Sequence, residues 1–212
     1  MRATAILPVK RFGDAKQRLL AALDRPQRAG LVKAMLADVL TATTEVQGVE
    51  RVIVVTSEGR AERIALRHGQ RVNTQVEVLE EPVDRGHPEA ATLGIVRAKA
   101  LGAECVALLP GDCPLLDADE LDAALERMHP GRVSVVPDRH GTGTNALLMA
   151  PASARSPCGV DVACALMCTM SPGTRSASRS AISIARVAPI PAGSGWAMSW
   201  ESAVMPAPAA SA

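Results

Sequence analysis

The sequence predicts an α/β fold: a mainly parallel sheet with helices on both faces, built as a single domain. Three observations predict it. Over residues 1–150, short apolar and β-branched runs alternate with segments of helical periodicity. Several of those runs are continuously apolar, as strands covered on both faces are. And 212 residues with 48% hydrophobic side chains suffice for a substantial core.

The elements follow in order. "ATAILPV" (3–9) is a short apolar run fit for a buried strand. The chain then turns through Lys10 and Arg11 into a helix expected to carry Lys16 and Arg18. "GLVKAMLADVL" (30–40) sets Leu31, Val32, Met35, Leu36, Val39 and Leu40 on one helical stripe. "RVIVVTS" (51–57) is β-branched, and "AERIALRHG" (61–69) is a helix with Gly69 as its expected C-cap. "QVEVLEE" (75–81) alternates as a strand, and "PEAATLGIVRAKALG" (88–102) returns to helix. "ECVALLPGD" (104–112) is the most apolar strand. "DADELDAALERM" (117–128) is a helix with acids in its first turn, where the helix dipole favours them. "RVSVVPD" (132–138) and "NALLMA" (145–150) complete the set.

Residues 151–212 differ in kind. Ala, Ser and Pro fill 33 of these 62 positions and only six are charged, so the segment has little capacity to build a core. The expected organisation is therefore a domain over 1–150, followed by an atypical, poorly ordered C-terminal segment over 151–212.

Composition excludes several functions. A net charge of +1 and two Trp, one Phe and no Tyr argue against a nucleic-acid groove, which needs basic faces and stacking rings. No run reaches the ~18 apolar residues of a membrane span, and five irregularly spaced cysteines do not make a disulfide framework. A cytoplasmic location is expected.

In parallel α/β folds ligands sit at the carboxyl ends of the strands, so the loops leaving strands matter most. The first such loop, within "ILPVKRFGDAKQRL" (6–19), is densely cationic in an otherwise neutral chain: Lys10, Arg11, Lys16 and Arg18 against Asp14. Such a loop suits nucleotide phosphates, with Lys10 and Lys16 the foremost ligands; the alternative is a solvated basic face. In "LLPGDCPLL" (108–116) a buried strand delivers Asp112 at its carboxyl end, where a carboxylate can hold Mg²⁺ bridging phosphate oxygens. A turn-forming role is the alternative, and one carboxylate is a weak metal site, so a second is required from elsewhere. Asp117 and Asp119 read as helix-start residues. "PDRHGTGTN" (137–145) alternates glycine and threonine in a loop that can approach a ligand closely, or is simply a turn between strands. "DRGHPEAATLG" (84–94) enters a helix near His87, which reads as a loop histidine.

Together, "LPVKRFGDAKQRL", "LLPGDCPLL" and "DRHGTGTNALL" resemble the phosphoenolpyruvate / 2-phospho-L-lactate guanylyltransferases of coenzyme F-420 biosynthesis, in one collinear order from residue 3 to about 150. The resemblance implies a single Rossmann-like nucleotidyltransferase domain. It implies that the phosphate of a three-carbon phosphoacid attacks the α-phosphorus of GTP and releases diphosphate. It assigns Lys10, Lys16 and Asp112 to catalysis. Lys10 and Lys16, with Arg11 and Arg18, meet the nucleotide; Asp112 holds Mg²⁺, and Thr144 and Gly159 meet the phosphoacid. Expected partners are GTP and that phosphoacid, with no nucleic acid and no membrane; a homodimer is left open.

The chain then departs from the family pattern. "PCGVDVACALM" stands where Phe-Gly-Pro-x-Ser and then Arg-His are expected: Gly159 keeps its place, but Val162 occupies the serine position. The family's terminal Asp-x-Asp-Thr-Pro, source of a second metal carboxylate, has no counterpart in 163–212, where Glu201 is the one acid. An abrupt switch of this kind is what a reading-frame shift in a GC-rich gene would produce, and resequencing tests it. Two other readings compete. One is another nucleotidyltransferase of this fold, serving a molybdenum cofactor or a sugar 1-phosphate; its usual paired-glycine opening is missing from "LPVKRFGDAK". The other is a nucleotide-binding protein with impaired turnover.

Overall fold

The structure is a computed structural model that describes residues 2–13, 15–16, 19–81, 87–130, 132–137 and 144–150, with two short strands further on. Strand β1 (Ala3–Val9) is buried throughout, as its unbroken apolar run requires. Helix α1 spans Arg25–Glu45, earlier and longer than its apolar stripe indicates. Its start is set by a capping box: Asp24 Oδ1 accepts from Gln27 N at 2.7 Å while Gln27 Oε1 accepts from Asp24 N at 2.9 Å, and Pro26 sits in the first turn.

The remaining elements are β2 (Val49–Thr56), α2 (Gly59–Gly69), β3 (Gln75–Glu80), α3 (His87–Ala100), β4 (Cys105–Leu108), α4 (Ala118–Glu126), β5 (Arg132–Pro137) and β6 (Thr144–Ala150). They form a six-stranded sheet of order β3-β2-β1-β4-β6-β5. The pairs β1–β2, β1–β4 and β2–β3 are parallel, whereas β6 runs antiparallel to both β4 and β5. The predicted α/β class and mainly parallel sheet hold, and β5 ends and β6 begins at the same edge as the carboxyl ends of β1 and β4. Beyond the sheet, β7 (Ala185–Val187) and β8 (Trp200–Ser202) pair antiparallel. Strands of three residues leave no periodicity to read, so the sequence did not indicate them. The expected poor order of 151–212 otherwise falls outside the described residues.

Two apolar layers flank the sheet. On one face Val32, Leu36, Val39 and Leu40 of α1, Ala61 and Ala65 of α2, and Leu121 and Leu125 of α4 pack on Leu7, Val54, Ala107 and Leu148. On the other, Ala90, Ala91, Ile95 and Ala98 of α3 pack on Ile6, Ile53, Val55, Val106 and Leu147. Helices thus cover both faces, as predicted.

Three local expectations need correction. Among the described residues no α-helix follows β1 directly: Phe12, Gly13, Ala15, Lys16 and 19–22 lie in turns, and α1 begins at Arg25. Leu31, placed on the core stripe of α1, is 37% exposed, because it lies a full 100° from Val32 around the helix. Gly69 is not the C-cap of α2; Gln70 is, in a right-handed conformation. A Cβ on Gly69 would stand 2.9 Å from Val76 Cβ, so close packing of α2 on β3 calls for glycine there. Among the described residues no helix is long and apolar enough to cross a membrane.

Candidate active site

The site is built where β1, β2 and β4 end. Val9 and Thr56 are register partners at the last rung of β1–β2. Thr56 Oγ1 donates to Val9 O at 2.8 Å and accepts from Glu58 N at 3.0 Å, so both strands end at a fixed place. Glu58 then does two things: Oε1 accepts from Arg60 N at 3.2 Å as N-cap of α2, and Oε2 accepts from Phe12 N at 3.2 Å. Phe12, the chain's one phenylalanine, is 1% exposed and anchors the loop in the core.

Between these anchors the chain exposes Lys10 and Arg11 just beyond β1. Lys16 adopts φ 55, the left-handed region that a non-glycine residue seldom occupies. Lys16 reaches the site from a turn. Its neighbour Ala15 is held from α1: Arg28 Nη1 donates to Ala15 O at 3.1 Å.

From the other side, Leu109 N donates to Ile6 O at 3.0 Å, prolonging the β1–β4 ladder by one residue. Gly111 then passes against β1, where an added Cβ would stand 2.9 Å from Val9 Cγ2. This close approach sets Asp112 beside the cationic loop. Lys16 Nζ lies 2.8 Å from Asp112 Oδ2, with side chains 27% and 50% exposed. Such a half-exposed pair contributes roughly 1 kcal/mol or less, so a ligand of either sign can displace it.

His87 opens α3 instead of lying in a loop. Its imidazole pKa is lowered by burial and then by the Lys10 cation, against an opposing pull from Asp112, so the three groups share one neighbourhood. Burial and the Asp112 carboxylate raise the Cys113 thiol, with Lys16 acting the other way. Asp117 is the helix-start residue expected: its Oδ1 accepts from Glu120 N at 3.0 Å.

The structure therefore brings together Lys10, Lys16 and Asp112 from the sequence reading, and adds His87. Thr144 begins β6, half-buried and paired with Pro137, on the same edge of the sheet. Arg18, Gly159 and the 141–143 part of the glycine-threonine loop lie outside the described residues. Sequence reasoning missed Glu58 and Arg28. The signal for Glu58 was available in "TSEGR", an acid at the mouth of a helix directly after a strand. Among the described residues no group of three or more His, Cys, Asp or Glu converges. Asp112 is a hard oxygen donor whose one ion pair among the described residues is with Lys16, which fits a cation that takes one or two carboxylates and completes its shell with phosphate oxygens and water.

The chain is 44% identical over 164 residues to a phosphoenolpyruvate guanylyltransferase of Conexibacter woesei, covering 76% of this chain and 71% of the relative. It is 34% identical over 157 residues to one of Sphaerobacter thermophilus, covering 74% and 72%. Among solved structures, a 4-diphosphocytidyl-2C-methyl-D-erythritol synthase superposes with TM-score 0.52 at 16% identity, over 78% of this chain and 83% of that one, which bears on the fold alone. The family model described as "Guanylyl transferase CofC like" matches residues 3–156. The chain belongs to the CofC-like guanylyl transferase family.

Proposed function

We propose that this chain transfers GMP from GTP to phosphoenolpyruvate, releasing diphosphate. The observation that carries the reading is the pairing of opposite charges at the ends of β1 and β4: Lys16 meets Asp112 at 2.8 Å, with Lys10 close by. A triphosphate needs cations, and a metal-bound triphosphate needs a carboxylate as well; this edge of the sheet offers both. The acceptor is taken from the relatives, which are named phosphoenolpyruvate guanylyltransferases. 2-Phospho-L-lactate is the other acceptor that the sequence resemblance implies, and coenzyme F-420 biosynthesis is the destination it implies. The same reading puts the chain in the cytoplasm.

A phosphate oxygen of the acceptor attacks the α-phosphorus, the bond from that phosphorus to the bridging oxygen of the β-phosphate breaks, and diphosphate departs. Lys10 and Lys16 neutralise the triphosphate and hold it in line, so rate comes from positioning and charge. Arg11 and Arg18 extend the cationic loop, and Thr144 and Gly159 are assigned to the acceptor. Asp112 would hold Mg²⁺, which would supply positive charge to offset the negative charge of the leaving diphosphate.

The test incubates the purified chain with GTP, Mg²⁺ and phosphoenolpyruvate and follows diphosphate. Release that requires both substrates supports transfer. A second reading, nucleotide binding without turnover, is favoured by one observation: Val162 stands at the family's serine position and no terminal acid pair follows. GTP binding without diphosphate release would select it.

A further inference from the structure

We propose that Arg28 is a positioning residue for the anion loop, holding Lys16 in its left-handed conformation without itself touching ligand. The inference rests on the reading of Lys16 as a phosphate ligand. Arg28 lies in the first turn of α1 and is only 5% exposed, unusual for a side chain that is seldom fully buried. Its Nη1 donates to Ala15 O at 3.1 Å, and its Nε is buried with no hydrogen-bond partner among the described residues. Burying a guanidinium with an orphaned donor disfavours the fold, and an apolar side chain of similar volume would suit the core better. The one hydrogen bond that Arg28 makes among the described residues is therefore what distinguishes it from such a replacement.

That contact falls at an informative place. Ala15 O belongs to the peptide plane immediately before Lys16, and the φ of Lys16 is the rotation of its Cα out of that plane. Pinning the carbonyl fixes the reference from which φ 55 departs. A lysine left to itself relaxes to negative φ, which redirects its side chain. A charge-assisted hydrogen bond is of the same order as that conformational preference and can hold it. The far end of the loop is clamped in the same manner, by Glu58 on Phe12 N. The loop is thus fixed at residues 12 and 15, and Lys16 emerges from the second clamp onto Asp112.

The test is a double-mutant cycle on GTP dissociation constants, measured calorimetrically on the full chain: wild type, Arg28→Met, Lys16→Ala and the double variant, with thermal midpoints alongside. Each single change is expected to weaken GTP about tenfold or more, on the scale of a lost charge-assisted hydrogen bond. The double variant should bind no more weakly than Lys16→Ala alone, because Arg28 acts through Lys16. Arg28→Lys, which keeps the charge and a donor, should recover part of the loss. If Arg28→Met does not fold, Arg28→Gln, too short to reach Ala15, takes its place in the cycle. A lower thermal midpoint with unchanged GTP affinity, or losses that multiply in the double variant, would overturn the proposal. An effect of Lys16→Ala with none of Arg28 overturns this inference alone; no effect of Lys16→Ala removes the phosphate-loop reading and the inference with it.

Discussion

Lys16 combines two features that seldom coincide: a cationic side chain directed at a carboxylate and a backbone torsion better suited to glycine. The left-handed region costs a non-glycine residue about 1–2 kcal/mol. Replacing Lys16 removes the ion pair in any case, but the choice of replacement separates the two features. Lys16→Gly releases the torsional strain and Lys16→Ala retains it, so the glycine variant should unfold at the higher temperature, by roughly 2–4 °C for a chain of this size. Equal or reversed thermal midpoints would mean that φ 55 carries no strain. The lysine itself was legible in the sequence, from its place after the first strand. Its left-handed torsion was not, since nothing in "GDAKQR" marks Lys16 above its neighbours. Arg28 and Glu58 were hidden for a related reason: their roles arise from hydrogen bonds across 13 and 46 residues of sequence.

At the scale of elements, the strands and helices were legible wherever burial imposes a period. β1, β2 and β4 are buried almost throughout and read as plain apolar runs. The start of α1 was not read, although "DRPQ" spells its capping box, because the first turn presents Arg28 instead of an apolar residue to the interior. The contact of α3 with the sheet depends on Gly94. A Cβ there would overlap Ile6 Cγ2 and stand 3.2 Å from Val55 Cγ2, both on strands paired in register in the centre of the sheet. Alanine favours helix by about 1 kcal/mol, but forced overpacking against paired strands costs about 1–3 kcal/mol. Gly94→Ala should therefore lower the urea midpoint with an unchanged m-value. A raised midpoint would show that α3 can withdraw without loss.

For the whole molecule, the near-neutral net charge conceals a division, with Lys10, Arg11 and Lys16 gathered at one edge of the sheet. Two histidines make its stability depend on pH. His87 is lowered by burial and then by Lys10; His68 is lowered by burial and then by Arg71, and its Nε2 lies 2.9 Å from Thr44 Oγ1. Both folded pKa values lie below the unfolded one, so the unfolded chain binds these protons first. Their contribution is present above about pH 6.5 and is lost as pH falls through the folded values. The thermal midpoint should drop between about pH 7 and 5.5, and His68→Gln should flatten part of that slope; a midpoint constant across this window would contradict the linkage. The claim that the ends of β1 and β4 form one metal-nucleotide site is tested most directly by calorimetric titration of GTP into wild type and Asp112→Asn, with and without Mg²⁺. Without metal, Asp112 occupies Lys16 and repels the triphosphate, so Asp112→Asn should bind GTP more tightly than wild type. With Mg²⁺ the carboxylate becomes a ligand and the order should reverse. An identical effect of Mg²⁺ on both proteins would contradict the account.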